Sequence, residues 1–231
     1  MKYSFAVFII IILSVFVFNS CKKQPEFSVI PQIGFESINK YKVTDQYGDY
    51  YDSIPITISF KDGDGDLGLS AGDTNAPYNL RNIVYDSVGN PVKYGSRPGM
   101  PPFNSTDPCN PYIIDSINGE KDTILFTWNN SNYNNYHIVF LKKSGTTYDT
   151  IHFTYNCPTQ NYDGRFPILS PANYSGPLQG DLTLTLYHDF TDYDPNNPQF
   201  YFKGQTVKFR IYIEDRALHQ SNIIETTDIT F

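Results

Sequence analysis

The chain has 231 residues, a formal net charge of −7 at pH 7 and three cysteines, Cys21, Cys109 and Cys157. An acidic chain without a basic patch argues against nucleic acid as a partner. No cysteine has a CxxC neighbour, which argues against a zinc site or a thioredoxin-like redox role.

The first twenty residues are typical of a secretory signal peptide. Lys2 gives a short basic start, and residues 5–18 form an almost continuous apolar run. As a helix this run would span about 21 Å, less than the roughly 30 Å hydrocarbon core of a bilayer. The sequence therefore predicts a signal peptide over residues 1–20 and no transmembrane helix there.

Cys21 follows directly after the small residue Ser20. This ending resembles the lipobox of bacterial lipoproteins, and its loosened form followed by Lys22–Lys23 resembles lipoproteins of Bacteroidota-type Gram-negative bacteria. The resemblance implies that Cys21 becomes the mature N-terminus and carries fatty acyl chains such as palmitate. These chains would anchor the protein in the cell envelope, at the outer membrane on its periplasmic or surface face, with residues 21–28 as the tether. The alternative is an ordinary secretory signal with an incidental cysteine.

The rest of the chain, residues 29–231, is dominated by alternating apolar and polar residues. Val207, Phe209 and Ile211, for example, alternate with polar residues. The pattern predicts ten strands, at residues 29–38, 54–60, 82–86, 112–117, 123–128, 136–142, 147–155, 181–187, 206–214 and 223–231. Because no helical crossovers separate these strands, we expect an all-β antiparallel sandwich in one domain.

Two long stretches rich in proline, glycine or asparagine, residues 95–111 and 156–177, interrupt the strand pattern. We expect them to be inserted loops and the main recognition surface. Each contains or adjoins one cysteine, and in an exported protein Cys109 and Cys157 most simply form a disulfide that joins the loops. Two free buried thiols are the alternative.

An acidic loop, KDGDGDLG at positions 61–68, directly follows the predicted strand 54–60. Counted from the first aspartate, oxygen donors fall at positions 1, 3, 5, 7, 9 and 12, which is the ligand spacing of an EF-hand calcium loop. The predicted ligands are Asp62, Asp64, Asp66, the backbone of Gly68, Ser70 and Asp73. Position 6 is Leu67 where an EF-hand has glycine, position 12 is not glutamate, and flanking helices are missing. The loop therefore more closely resembles the calcium loops of extracellular β-sandwich and thrombospondin-type modules.

Electrostatics favours a cation in this loop. Two carboxylates about 4 Å apart near a protein surface repel each other by about 4 kcal/mol, so three converging carboxylates need a divalent ion or an open loop. Oxygen donors without histidine or cysteine select Ca²⁺ over zinc or copper. The alternative is a solvated Asp/Gly turn.

The C-terminal segment at residues 213–222 resembles the last hairpin of bacterial Ig-like domains, in which a strand ends in an aspartate before a small turn. In such sandwiches this aspartate can face the acidic loop, so the resemblance implies that Asp215 is a further metal ligand. Equally, Asp215 would cap its own turn through a backbone hydrogen bond.

No catalytic pattern stands out, since the four histidines are far apart and no GxSxG or phosphate-binding glycine loop occurs. Trp128, Tyr133 and Tyr136 form the best candidate for an exposed aromatic ligand site, against the alternative of a turn with a packed tryptophan. The sequence predicts a non-enzymatic envelope lipoprotein with a structural, adhesion or interaction role and a Ca²⁺-stabilised loop. A carbohydrate-binding lipoprotein of a glycan-uptake system and a carboxylate-dependent hydrolase are the alternatives.

Overall fold

The computed structural model describes residues 25–96, 103–104, 112–117, 120–153, 162–191 and 201–231. The predicted signal peptide, Cys21, Cys109 and Cys157 lie outside the described residues. Within them, no helix has the length and apolar character needed to cross a membrane. The strands are β1 (Gln32–Ile38), β2 (Tyr41–Thr44), β3 (Tyr50–Asp62), β4 (Arg81–Ile83), β5 (Tyr112–Ile117), β6 (Glu120–Asn129), β7 (Tyr136–Ser144), β8 (Thr147–Thr150), β9 (Leu178–His188), β10 (Thr206–Ile213), β11 (Ile224–Glu225) and β12 (Ile229–Thr230).

The first sheet is organised around β3, whose 13 residues make it the longest described strand. Along one edge of β3, β1 pairs with its second half and β2 pairs with its first four residues. Along the other edge, β9 pairs with it from Asp52 to Asp62. All of these pairings are antiparallel, so β3 is the central strand and reaches from one end of the sheet to the other.

The second sheet has β7 and β10 at its centre, flanked by β8 on one side and by β11 and β12 on the other. A third, three-stranded sheet has the order β4-β6-β5. Every pairing in both sheets is antiparallel.

The core lies between the first two sheets. Ile54, Ile56 and Ile58 alternate along β3 and are completely buried, and they belong to one hydrophobic cluster with Phe140 of β7 and Phe209 of β10. Full burial of a side chain of this size contributes about 1.5–3 kcal/mol, so these two inner faces hold the sheets together. The predicted all-β antiparallel sandwich is confirmed.

Several strand boundaries differ from the sequence prediction. β2 was not predicted, and the turn that joins it to β3 depends on Asp45, whose Oδ1 accepts hydrogen bonds from the backbone N–H groups of Tyr47 and Asp49. The predicted strand 223–231 is divided into β11 and β12. The division falls at Thr226, whose hydroxyl oxygen accepts the backbone N–H of Phe209 and so takes the place of a regular backbone pair.

Candidate metal centre

The acidic loop begins where β3 ends, and the alternation of β3 decides which way its first carboxylate points. Phe60 and Asp62 continue the buried side of the strand that starts with the isoleucines. Asp62 is therefore completely buried at the end of the sandwich. A carboxylate at such a position loses its hydration and needs hydrogen bonds or a cation in return.

One oxygen of the Asp62 carboxylate stabilises the turn that follows. Its Oδ2 accepts hydrogen bonds from the backbone N–H groups of Gly65 (2.9 Å) and Asp66 (3.1 Å). Gly65 has φ +75°, and a Cβ there would lie 2.5 Å from the carbonyl oxygen of Gly176. Glycine is thus required both by the backbone conformation and by the close approach of a neighbouring segment.

The turn brings three carboxylates together. One carboxylate oxygen each from Asp62, Asp64 and Asp66 lies within 4.8 Å of the other two. The Oδ1 atoms of all three residues are buried and have no hydrogen-bond partner among the described residues. Since most buried polar atoms in proteins are paired, three unpaired carboxylate oxygens in one loop are the arrangement expected of a cation site.

The electrostatics of the loop points the same way. Burial, followed by the charge of Asp64, raises the pKa of Asp62 to about 6. Burial, followed by the charges of Asp215 and Asp64, raises the pKa of Asp66 to about 6. A divalent ion among these groups would reverse the effect, because it favours the ionised carboxylates that coordinate it.

The C-terminal turn closes one side of the loop. The Asp66 carbonyl oxygen accepts a hydrogen bond from Arg216 Nε at 3.0 Å, and Asp66 Oδ2 accepts the backbone N–H of Ala217 at 3.1 Å. Tyr78 donates its hydroxyl proton to the Arg216 carbonyl oxygen. The sequence analysis did not predict a role for Arg216 or Tyr78. The only signal for Arg216 was its position next to Asp215, and Tyr78 had none.

Ser70 and Asp73 form a turn of their own. The backbone N–H of Ser70 donates to Asp73 Oδ2 at 2.7 Å, and Arg165 donates to the carbonyl oxygens of both residues. Asp73 is not a member of the carboxylate cluster. The structure thus brings together the first three predicted carboxylates, and Leu67 after them is fully buried in the core. Ser70 as a metal ligand stays a prediction.

Gly68 has a clear packing role. Its φ is +99°, and a Cβ at this position would lie 2.1 Å from the carbonyl oxygen of Pro167. Its backbone as a metal ligand stays a prediction.

Asp215 caps its turn, as one of the two sequence interpretations proposed. Its Oδ1 accepts the backbone N–H of His219 at 2.7 Å, and its Oδ2 lies 2.9 Å from the Nδ1 of the same residue. Asp215 is not a member of the carboxylate cluster. Its charge nevertheless acts on Asp66 and contributes to the raised pKa of that residue.

One of the three residues of the predicted aromatic site is buried. Tyr136 is only 1% exposed and belongs to the core, so its interpretation as a ligand-binding residue is wrong. Tyr133 lies in a short 3-10 turn with the Arg165 guanidinium 4.9 Å above its ring. Trp128 lies in β6 opposite Asn82.

Comparisons with protein-family models, with curated proteins and with solved structures found no match for this chain. The lipoprotein and Ig-like resemblances therefore stay predictions from the sequence.

Proposed function

We propose that this protein is a non-catalytic lipoprotein of the cell envelope, held on a membrane by acyl chains on Cys21, and that its acidic loop binds a structural Ca²⁺ ion. The main support for the metal site is that the Oδ1 atoms of Asp62, Asp64 and Asp66 are buried and have no hydrogen-bond partner among the described residues. Full burial of Asp62 makes an unpaired oxygen there costly without a cation.

The chemistry of the donors favours calcium. The cluster consists of carboxylates alone, without histidine or cysteine, and hard oxygen ligands suit Ca²⁺. Outside the cytoplasm such sites function with dissociation constants of about 10⁻⁴–10⁻³ M.

The position of the loop suggests what the ion does. Asp66 is hydrogen-bonded to Arg216 and Ala217 in the C-terminal turn, while Asp62 ends β3. An ion shared by these aspartates ties the end of the central strand to the turn that follows β10. Its role is therefore to stabilise one end of the sandwich.

The test is thermal unfolding of the full-length protein in mild detergent, with EGTA or with 10 mM Ca²⁺. At a dissociation constant of about 10⁻⁴ M, this concentration stabilises the folded state by about 2.7 kcal/mol. For a domain of this size we expect the Tm to rise by roughly 5–10 °C. The Asp64→Ala variant should lose most of the rise, because its carboxylate belongs to the cluster.

Asp64 is a cleaner choice than Asp62, whose Oδ2 also forms the turn. The matched control is Asp149→Ala, which removes an exposed aspartate in β8 and should keep the full calcium response. An Asp64→Ala protein that responds to Ca²⁺ as strongly as the unchanged chain would contradict the metal site. So would a Tm of the unchanged chain that is the same in EGTA and in Ca²⁺.

A further inference from the structure

The outer face of the first sheet carries exposed aromatic rings far from the acidic loop. Because Ile54, Ile56 and Ile58 face the core, the alternate residues of β3 face away from it. On this side Ser53 pairs with Tyr41 of β2 and with Tyr187 of β9. The two tyrosines thus stand in one row across three strands, about 10 Å apart.

A third ring extends this row. Tyr51 lies two residues before Ser53 on the same side of β3, and its ring meets that of Tyr187 edge-on with 5.8 Å between centroids. Further along the same side, the hydroxyls of Thr57 and Thr183 are 2.8 Å apart. We call Tyr41, Tyr51, Tyr187, Thr57 and Thr183 the tyrosine face.

Two of these rings are open to solvent, since Tyr41 is 54% and Tyr187 is 61% exposed. Beside them lies a cavity of about 360 Å³ that, among the described residues, is lined by Tyr51, Tyr187 and His188. This volume falls within the range of small-molecule sites, which are about 300–1,000 Å³. The face therefore combines an exposed aromatic platform with a recess large enough for a ligand group.

The rows that hold the tyrosine face are uncharged, although the chain as a whole carries a charge of −7 and Asp181 lies one row beyond Thr183 on the same side. The residues that pair across it beside the tyrosines are uncharged, namely Ser37 with Thr57, Val43 with Tyr51, and Pro55 with Thr185. Burial lowers the pKa of His188, which also lines the cavity, and so favours its uncharged form. An anionic ligand would be repelled by the acidic chain, and a cationic ligand finds no carboxylate in these rows.

We propose that the tyrosine face binds a neutral polysaccharide. Aromatic rings stack on the apolar C–H faces of sugar rings, and the hydroxyls of tyrosine and threonine exchange hydrogen bonds with sugar hydroxyls. The row of rings across β2, β3 and β9 provides contacts for more than one sugar unit. The site is independent of the metal centre, because Asp62 ends β3 roughly 36 Å from Tyr51.

The test is native affinity electrophoresis of the full-length protein in mild detergent, in gels that contain xylan, galactomannan or β-glucan. Gels with polygalacturonate provide the anionic comparison. We expect at least one neutral polysaccharide to retard the protein, and the Tyr41→Ala/Tyr187→Ala variant to bind it at least tenfold more weakly. Retardation should persist in EGTA, which separates this proposal from the calcium site.

The matched control is Tyr85→Ala, which removes a tyrosine that is 58% exposed outside the tyrosine face and should leave retardation unchanged. Three results would overturn the proposal. They are no retardation by any neutral polysaccharide, equal retardation of the unchanged and doubly substituted chains, and retardation by polygalacturonate alone. A second copy of the chain is the alternative partner for this face, and light scattering tests for it. If the unchanged chain is a dimer, the double substitution makes it a monomer and no polysaccharide binds, then the face is a contact between copies of the chain.

Discussion

His137 is a buried ionisable residue in β7, remote in sequence from the acidic loop. Its side chain is 5% exposed and stacks on the ring of Tyr212 at 4.4 Å. Nδ1 lies 3.0 Å from Asp163 Oδ2, and Nε2 lies 3.8 Å from Glu214 Oε2. Burial alone would lower the pKa of His137, but these two carboxylates outweigh it and raise the pKa to about 9.

This shift predicts that stability decreases in mild alkali. A histidine whose pKa is about 9 in the folded state and about 6.5 in the unfolded state stabilises the fold fully below pH 6.5. The stabilisation, about 3 kcal/mol, is lost as the pH rises through 9. Tyr212 does not titrate in this window, since burial, followed by the charges of Glu214 and Asp163, raises its pKa to about 12.

Urea unfolding at pH 6.5 and pH 9.5 measures the effect. The unchanged chain should lose more free energy of unfolding between the two values than the His137→Gln variant, in which the titrating group is absent. Other groups titrate in both proteins, so their contribution is removed when the loss of free energy of unfolding in one protein is subtracted from that in the other. Equal losses in both proteins would contradict the assignment.

At the scale of secondary-structure elements, the side chain of Asn222 connects two separate parts of the fold. Its Oδ1 accepts the backbone N–H of Ile33 at 2.8 Å, and its Nδ2 donates to the Ile33 carbonyl oxygen at 2.9 Å. The side-chain amide thereby makes the two hydrogen bonds that the backbone of a neighbouring strand would make with Ile33 at the start of β1. It connects the first sheet with the segment between β10 and β11, so β1 and this segment support each other.

We expect Asn222→Ala to lower the free energy of unfolding by about 1–3 kcal/mol, because it leaves two backbone groups of the buried Ile33 without this partner. Equilibrium urea unfolding measures the change. Asn75→Ala, at an exposed position outside the strands, is the matched control and should stay within about 0.5 kcal/mol. A loss for Asn222→Ala no larger than that of the control would show that the connection is unimportant.

At the scale of the whole molecule, the aromatic residues are divided between a core and a surface. The ring of Phe140 contacts the rings of Phe153, Tyr162, Phe190 and Phe209, so it joins the second sheet to several loops. These rings explain much of the aromatic content as packing. Tyr41 and Tyr187 of the tyrosine face remain largely exposed, as do Tyr47, Tyr50 and Tyr85.

Membrane attachment is also a property of the whole chain. If Cys21 carries acyl chains, the protein should partition into the detergent phase of Triton X-114 extracts of cells that produce it. A Cys21→Ser variant should move to the aqueous phase, while Cys109→Ser should not. Recovery of the unchanged chain in the aqueous phase would argue for an ordinary signal peptide.

The amino-acid sequence determined which face of β3 is buried. Alternation has a period of two residues, so the isoleucines of β3 fix the inner face and place Asp62 on it. The same local spacing predicted that Asp62, Asp64 and Asp66 come together, because all three lie within five consecutive residues. For this reason the fold class and the cluster of three carboxylates were predictable.

Tertiary structure decided which strands become neighbours and which side chains meet across them. Asp73 fits the ligand spacing, but Leu67 is drawn into the core and the chain leaves the cluster. Tyr41 and Tyr187 share a row only because β2 and β9 pair with opposite edges of β3. Alternation specifies the face of a residue but carries no information about its partner strand, since hydrogen bonds of the backbone are the same for every sequence.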